Sequence, residues 1–373
     1  MAVCVFDSGH HTFGMVRLRG ETPMWKRRIF FLTCLLSFLT CIAQAAPLPL
    51  TEIARTVRKE SFLAPTSLDM QSFFSQAKQL EEVRAFLKEL DPYAKYATPD
   101  DLLTLRQLTS ARPAGIGMDI FRDRTEKVRC IPYPGSPAET AGIHYGDEVL
   151  SVNSLQVRGL PMAELAQRIR GNSGTAVRLL VQSKEEAARW LTIPRRVTGE
   201  YPSVLLSQKG SRPVIRIYRF GPQTEKELRA CLKRLGKSEK ALIDLRGNTG
   251  GSLEIAIACA KLFLPKGNVA ARIQTKKGIR KEIAAKDGPF STMQLKLMQD
   301  QYTASAGELF VAALVAAKRA YSFGKRTAGK ACIQNLFTLS DGSILKLTTE
   351  KMLYPLRAGD WEGKGLDPHS SGN

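Results

Sequence analysis

The stretch ALIDLRGNTGGSLEIAIACAKLF, residues 241–263, decides the architecture of the chain. Ala241 to Leu245 predicts a strand, and Arg246 to Gly251 follows it as a glycine-rich turn. The apolar segment from Ser252 to Leu264 predicts a helix, which Pro265 ends. A strand, a glycine turn and a helix in succession are typical of an α/β domain.

Segments on either side extend the same pattern. Val214 to Phe220 alternates as a strand does, and Thr224 with Glu227 predicts a capping box at the start of a helix. Two apolar segments around a polar turn predict a hairpin over residues 336–348. We therefore interpret residues 199–373 as one mixed α/β domain.

A small helical region is predicted over residues 46–112. Leucine and valine recur at helical spacing from Leu80 to Leu90, and Asp91-Pro92 ends that helix. Thr98 supplies a hydroxyl cap for another helix, with proline at its first position and two acids after it. Packing alone accounts for this region.

The first 45 residues predict a leader and a cleaved signal peptide. The basic stretch from Lys26 to Arg28 precedes an apolar run from Ile29 to Ala43. The run is too short to span a bilayer comfortably, and Ala43-Gln44-Ala45 has small residues where a signal peptidase cuts. The sequence therefore predicts export to a bacterial periplasm or envelope.

The chain is strongly basic, with a formal net charge of +20. A basic surface suits anionic surroundings, so association with anionic envelope surfaces is an expectation. No basic stretch is interleaved with aromatic residues and no nucleic-acid-binding motif is present, so nucleic acid is not an expected partner.

The cysteines indicate neither a disulfide scaffold nor a metal site. After the predicted leader is removed, four of the seven cysteines remain in more than 300 residues. Four are too few for such a scaffold, and no pair has metal-ligand spacing. We expect no metal and no other cofactor. The four that follow the leader are Cys130, Cys231, Cys259 and Cys332.

In residues 113–198 the sequence pattern predicts short strands separated by glycine turns. Gly115-Ile116-Gly117-Met118 opens this segment. It is followed by a turn with a short helix and by a turn into an alternating strand. A second helix and a final strand complete the segment. The order of these elements closely resembles a PDZ domain, which is a β-sandwich-like fold.

The resemblance to a PDZ domain implies a binding site for peptide C-termini. In that family the loop that corresponds to Gly115, Ile116, Gly117 and Met118 offers backbone N–H groups to a terminal carboxylate. Glycine lets the backbone approach the anion, and clustered N–H dipoles neutralise it. The peptide would then add as a strand beside residues 118–121.

Ser305 and Lys330 are candidates for chemistry. Ser305 with Glu308 fits a capping box, which explains the serine by itself, but a serine at a helix start also lies near N–H groups that stabilise an oxyanion. Lys330 is one lysine among many, and only an uncharged amine could serve as a general base. The histidines, at positions 10, 11, 144 and 369, are not placed for a Ser-His-Asp triad or a zinc site.

Four motifs together resemble those of the carboxy-terminal processing proteases, also called tail-specific proteases. With the PDZ-like segment in the expected place, the resemblance covers nearly the whole chain after the leader. It implies a mixed α/β core of the type shared by Clp protease and crotonase. The motifs are Leu90-Asp91-Pro92-Tyr93, the glycine turn Leu245 to Gly251, the segment Thr303 to Glu308, and Gly329-Lys330.

The resemblance also implies a role for each matching residue. Ser305 would be the nucleophile and Lys330 the general base, with Gln334 orienting the lysine amine. The oxyanion hole would use the backbone N–H groups of Ala306 and of either Gly250 or Gly251.

The sequence thus predicts an exported serine endopeptidase that recognises the C-terminal tails of protein substrates and cleaves them with a Ser–Lys dyad. Thr249 stands where the family usually has proline, and Ala331 where it usually has glycine, but neither change removes a reacting group. The alternative is a catalytically inactive PDZ-containing scaffold or chaperone of the envelope. The substrate and the oligomeric state stay open.

Overall fold

Helices and strands alternate through the computed structural model, which describes residues 48–65, 67–107, 114–123, 125–184, 186–197, 201–209, 212–235 and 240–370. The predicted leader and signal peptide, residues 1–45, lie outside the described residues. The helices are α1 (Leu50–Glu60), α2 (Met70–Ser75), α3 (Leu80–Leu90), α4 (Pro99–Gln107), α5 (Pro137–Thr140), α6 (Met162–Ile169), α7 (Thr224–Arg234), α8 (Leu253–Lys261) and α9 (Ala306–Ala316). Among these described helices, none is long and apolar enough to cross a membrane.

The strands follow the same chain order. They are β1 (Lys95–Ala97), β2 (Ala114–Gly115), β3 (Met118–Arg122), β4 (Val128–Pro132), β5 (Glu148–Val152), β6 (Leu155–Gln156), β7 (Ala176–Gln182), β8 (Arg189–Pro194), β9 (Arg196–Val197), β10 (Val204–Lys209), β11 (Arg212–Ile217), β12 (Lys240–Asp244), β13 (Val269–Thr275), β14 (Gly278–Ile283), β15 (Gln294–Gln299), β16 (Ala320–Gly324), β17 (Cys332–Thr338) and β18 (Ile344–Leu353).

The N-terminal helices form a small region that joins the C-terminal part of the chain. The helix predicted from Leu80 to Leu90 is confirmed as α3, and it ends at Asp91. β1 lies within the region predicted as helical and pairs antiparallel with β18, with Tyr96 opposite Leu345. The pairing connects the first described elements to the last strand.

The PDZ-like segment forms its own antiparallel sheet, with the strand order β3-β4-β5-β7-β8 and β6 paired to β5. Along β7, the buried residues Val177, Leu179 and Val181 alternate with more exposed ones. This period of two gives the strand one apolar face, which packs in a core with Leu165 of α6. β3 stands at one end of the strand order.

The larger α/β region is built on a sheet with the order β10-β11-β12-β15-β16. β11, β12, β15 and β16 run parallel, whereas β10 pairs antiparallel with β11. Parallel strands end at the same edge, so the glycine turn after β12 and the segment after β15 meet there. A second sheet has the order β1-β18-β13-β14 and includes the predicted hairpin as β17 and β18.

One predicted helix start is wrong in detail. α7 begins at Thr224, but its N-cap is Gln223, which makes no side-chain cap. The Thr224 hydroxyl accepts the N–H of Gly221 at 2.8 Å, and the Glu227 carboxylate accepts the N–H of Ser203 at 2.8 Å. Both side chains bond to loops outside the helix, so the capping box predicted for this pair does not form.

α9 lies at the centre of the larger core. Every residue from Ala306 to Leu314 is buried, because the helix is apolar on almost all sides. The Phe310 ring packs against Phe220 and Phe263, with ring centroids 5.6 and 6.3 Å apart. Packing on all sides fixes the position of the helix and therefore of its first turn.

The substitution Phe310→Ala should lower the free energy of unfolding by about 3–5 kcal/mol, because it replaces a fully buried ring with a cavity. Urea denaturation followed by circular dichroism measures this change. Leu356→Ala is the control: its side chain is 67% exposed, and its loss should change stability by less than about 0.5 kcal/mol. Equal effects of the two substitutions would contradict the packing assigned to α9.

Candidate functional site

Ser305 lies between β15 and α9 in an uncommon backbone conformation. Its φ is 54° and its ψ is −119°, which non-glycine residues rarely adopt. A strained turn of this kind, at the start of a helix, exposes a serine hydroxyl. The glycine turn touches it, because a Cβ at Gly250 would lie 2.9 Å from the Ser305 Cβ.

Asn248 holds the glycine turn against the start of α9. Its carbonyl oxygen accepts the N–H of Ala304 at 2.8 Å, and its side-chain amide donates to the carbonyl of Ile217 at 3.0 Å. Its Oδ1 accepts the N–H of Gly250 at 2.9 Å. Because that N–H is already bonded, Gly251 is the better candidate for an oxyanion donor.

Glu308 connects the helix start to the loop that carries Lys330. Its carboxylate is fully buried, and one oxygen accepts the N–H of Ser305 at 2.9 Å and that of Lys330 at 2.8 Å. The other oxygen accepts the Thr327 hydroxyl at 2.6 Å and the N–H of Gly329 at 2.7 Å. Burial raises the pKa of Glu308, and these hydrogen bonds oppose the rise. One side chain therefore fixes both segments.

The capping box predicted for Ser305 and Glu308 is confirmed. The carboxylate bonds to the Ser305 N–H, whereas the Ser305 hydroxyl faces the first turn of the helix without making a cap hydrogen bond of standard geometry. The capping role and the chemical role of this serine are therefore compatible. What sequence reasoning missed is the reach of Glu308 to Lys330, since a capping motif says nothing about a loop 22 residues away.

A cavity of about 480 Å³ brings together the predicted catalytic and oxyanion residues except Gly250, whereas the predicted peptide-binding loop does not line it. Ser305, Lys330 and Gln334 line it, as do the two oxyanion candidates Ala306 and Gly251. Ser305, Lys330 and Gln334 are each partly buried. The residues predicted from separate motifs thus share one space.

Other residues of the cavity wall come from segments in which no motif was found. Arg280 on β14 and Glu350 on β18 line the cavity, and their side chains are 3.8 Å apart. Glu254 in the first turn of α8 joins them. Pairing of β13 with both β14 and β18 brings these strands together, and only that long-range pairing could have identified the residues.

Cys332 also lines the cavity but is a poor nucleophile. Burial, reinforced by Glu362, raises the pKa of the Cys332 thiol to about 12, so the thiol stays protonated at neutral pH. Within the described part of the chain, no group of His, Cys, Asp and Glu could hold a metal ion. The cysteines present there as free thiols are Cys130, Cys231, Cys259 and Cys332.

The loop predicted to bind a peptide carboxylate connects β2 and β3. Gly115, Ile116 and Gly117 are buried, and Met118 begins β3. Gly117 has a φ of 73°, and a Cβ there would lie 2.7 Å from the Tyr201 hydroxyl. The Tyr201 ring therefore packs directly against the loop.

The PDZ-like sheet contacts the segment that leads to the candidate nucleophile. Phe121 of β3 meets Tyr302 edge to face, with ring centroids 4.9 Å apart. The Tyr145 hydroxyl donates to the Asp300 carboxylate, which also accepts the N–H of Gly247 at 3.1 Å. The two regions thus meet beside the glycine turn.

The substitution Glu308→Gln should lower the free energy of unfolding by about 1–3 kcal/mol, because its amide nitrogen would face buried donors that need an acceptor. Urea denaturation measures the change. Glu225→Gln is the matched control, since Glu225 pairs with Arg229 on the surface of α7 at 2.9 Å and should contribute less than about 0.5 kcal/mol. A Glu308→Gln variant as stable as the control would refute the bridging role.

Comparison with known proteins agrees with these features. Residues 213–371 match the model of peptidase family S41, and residues 132–183 match that of the PDZ domain. The carboxyl-terminal-processing protease of Picosynechococcus sp. is 32% identical over 274 residues, which cover 71% of this chain and 66% of that protein. A Staphylococcus aureus protein named "Probable CtpA-like serine protease" is 31% identical over 294 residues, which cover 77% of this chain and 58% of that protein. The chain spans about two thirds of the first relative's length and less of the second's.

A solved structure shares the fold. The photosystem II D1 C-terminal processing protease has a TM-score of 0.71 at 23% identity, with 86% of this chain and 92% of that chain covered. This likeness and the PDZ match confirm the predicted multidomain α/β fold with a PDZ domain and a mixed α/β core. From its peptidase and PDZ matches and its relatives, the chain belongs to peptidase family S41, in the group of PDZ-containing carboxyl-terminal-processing serine proteases.

Proposed function

We propose that this chain is an exported serine endopeptidase that captures the C-terminal tails of protein substrates and cleaves them with a Ser–Lys dyad. The observation that carries the proposal is the single cavity lined by Ser305, Lys330 and Gln334 at the start of α9. Membership of family S41 supports peptide hydrolysis as the reaction.

In the proposed mechanism, the uncharged amine of Lys330 accepts the hydroxyl proton of Ser305 while the serine oxygen attacks the carbonyl carbon of a peptide bond. The ammonium then gives this proton to the leaving amine as the C–N bond breaks, which leaves an acyl-enzyme. The amine next accepts a proton from water, whose oxygen attacks the acyl carbon. The proton returns to the Ser305 oxygen as the acid product leaves. Gln334 orients the Lys330 amine.

The negative charge on the carbonyl oxygen needs donors near Ser305. Ala306 is the first residue of α9, so its N–H points out of the positive end of the helix. Gly251 supplies the second N–H, because that of Gly250 is bonded to Asn248. Donors of this kind each stabilise a transition state by about 3 kcal/mol.

The proposed tail-binding site uses the loop of Gly115, Ile116, Gly117 and Met118 for the terminal carboxylate. β3 stands at one end of its sheet's strand order, which suits the addition of a peptide strand. The contact of Phe121 with Tyr302 supports delivery of the tail toward the catalytic residues, since a peptide on β3 would lie close to that segment.

Export to a bacterial periplasm or envelope is part of the proposal, on the basis of the signal-like leader. The net charge of +20 supports association with anionic envelope surfaces. Exposed Lys277 and Lys281, around the turn between β13 and β14, are among the side chains available for such contacts.

Ser305→Ala and Lys330→Met should each reduce casein cleavage by at least about a hundredfold, because each removes a reacting group. A fluorescence-based cleavage assay at neutral pH measures the rates. Lys325→Met is the matched control, since Lys325 is an exposed lysine in the same loop and should keep its activity. Full cleavage by either dyad variant would refute the mechanism, and a wild-type chain without activity would favour the scaffold alternative.

A peptide with a C-terminal amide should bind the Ser305→Ala protein about tenfold more weakly than the same peptide with a free carboxylate, because charge-assisted hydrogen bonds to the loop are lost. Fluorescence anisotropy with labelled peptides measures both dissociation constants. A scrambled peptide of equal charge controls for attraction to the basic surface. Equal affinity for the acid and the amide would disprove carboxylate capture.

A further inference from the structure

The turn Asp91-Pro92-Tyr93, between α3 and β1, has a buried carboxylate bonded to β18. Asp91 is 1% exposed. Its Oδ1 accepts the N–H of Tyr93 at 2.9 Å, as in an Asx-turn, and thereby fixes the position of the Tyr93 backbone. Its two oxygens also accept the Thr348 N–H at 2.6 Å and the Thr348 hydroxyl at 3.1 Å. The N-terminal region thus holds Thr348 of β18 by two hydrogen bonds.

Thr348, held by Asp91, in turn contacts the side chain of Gln334. The two residues are paired across β17 and β18, and Gln334 Nε2 lies 3.5 Å from Thr348 Oγ1. Because the Thr348 hydroxyl donates its hydrogen to Asp91, its oxygen is left to accept from the Gln334 amide. The nitrogen end of that amide therefore faces Thr348, and we infer that its carbonyl oxygen serves as the acceptor for the Lys330 amine.

Tyr93 approaches Lys330 from the same turn. Its ring centroid is 5.8 Å from Lys330 Nζ, within the range of a cation–π contact with the ammonium that forms when Lys330 accepts the serine proton. The Tyr93 hydroxyl donates to Glu362, whose other oxygen accepts the N–H of Ala331 at 2.6 Å and that of Cys332 at 2.9 Å. Tyr93 therefore contacts the lysine side chain and, through Glu362, supports the backbone of the next two residues.

We propose that Asp91 and Tyr93 are positioning residues for the general base: Asp91 sets the direction of the Gln334 amide through Thr348, and Tyr93 holds the Lys330 amine. The N-terminal helical region then completes the catalytic site. This proposal rests on the proposed Ser–Lys chemistry and assigns a role to two residues of the motif Leu90-Asp91-Pro92-Tyr93, for which the resemblance implied no function.

Docking of the N-terminal region does not by itself account for these groups. A buried carboxylate is an unfavourable way to attach two regions, because an apolar side chain of similar volume would avoid the loss of hydration. β1 already joins the region to β18 by backbone pairing. The polar contacts instead converge on Gln334 and on the backbone that follows Lys330.

The decisive experiment replaces Thr348, which touches no substrate in this scheme. Thr348→Val keeps the shape and removes the hydroxyl, so kcat for a fluorogenic peptide should fall about tenfold with KM within twofold of the wild-type value. Thr348→Ser restores the hydroxyl and should recover most of kcat. Thr338→Val, an exposed threonine on β17, is the matched control and should behave as wild type.

Two further variants test the proposal if Thr348→Val does not fold. Tyr93→Phe keeps the ring and loses the bond to Glu362, whereas Tyr93→Leu loses both, so kcat should fall about threefold and about tenfold respectively. Thermal unfolding of each variant shows that the folded protein is assayed.

The outcomes separate this proposal from the proposed function. If Ser305→Ala is inactive while Thr348→Val and Tyr93→Leu keep the wild-type kcat, positioning by the N-terminal turn is refuted and the dyad stands. If these variants instead raise KM about tenfold and leave kcat unchanged, the positioning role of Asp91 and Tyr93 is also refuted. Cleavage that persists in Ser305→Ala would instead refute the dyad itself.

Discussion

The site depends on a buried carboxylate that accepts hydrogen bonds from two segments at once. One oxygen of Glu308 accepts hydrogen bonds from both the backbone N–H of Ser305 and the backbone N–H of Lys330. A carboxylate without water must find donors within the protein, and every donor here belongs to the start of α9 or to the loop before β17. The electrostatic need of one side chain therefore keeps the candidate nucleophile and base at a fixed spacing.

Asp300 has a similar role between the PDZ domain and the peptidase core. Its carboxylate accepts the Tyr145 hydroxyl from the PDZ side and the N–H groups of Gly247 and Thr303 from the core side. The glycine turn and the segment before Ser305 thus receive support from both the PDZ side and the core side. Parallel strands β12 and β15 end beside one another, which is why the glycine turn and the segment before Ser305 can share these partners.

Local patterns predicted most of the secondary structure and several of the residues that line the candidate cavity. The strand, glycine turn and helix from residue 241 onward, the helix that Asp91-Pro92 ends and the capping box at Ser305 all depend on interactions between near neighbours, so the sequence contains their signal. The box predicted at Thr224 failed because Glu227 found donors in another loop, at Ser203. Contacts between distant residues decided that case.

The same limit applies to the choice between the two glycines that are candidates for the oxyanion hole. Gly250 and Gly251 are adjacent in sequence, and only the position of the Asn248 side chain distinguishes their N–H groups. The sequence did not predict Arg280 and Glu350 as cavity residues, because strand pairing, rather than a motif, brings them there. Sequence reasoning therefore predicted the candidate reacting groups, which stay a prediction, and missed other residues that surround them in the cavity.

The loop that carries Lys330 also depends on residues far along the chain. The Thr327 hydroxyl accepts the N–H of Leu366 at 2.6 Å, and the N–H of Gly363 donates to the carbonyl of Gly329 at 2.8 Å. A ribosome must therefore have made residues 361–366 before this loop can settle. A chain truncated before residue 361 would lack these partners, so the loop would lose two of the hydrogen bonds that hold it.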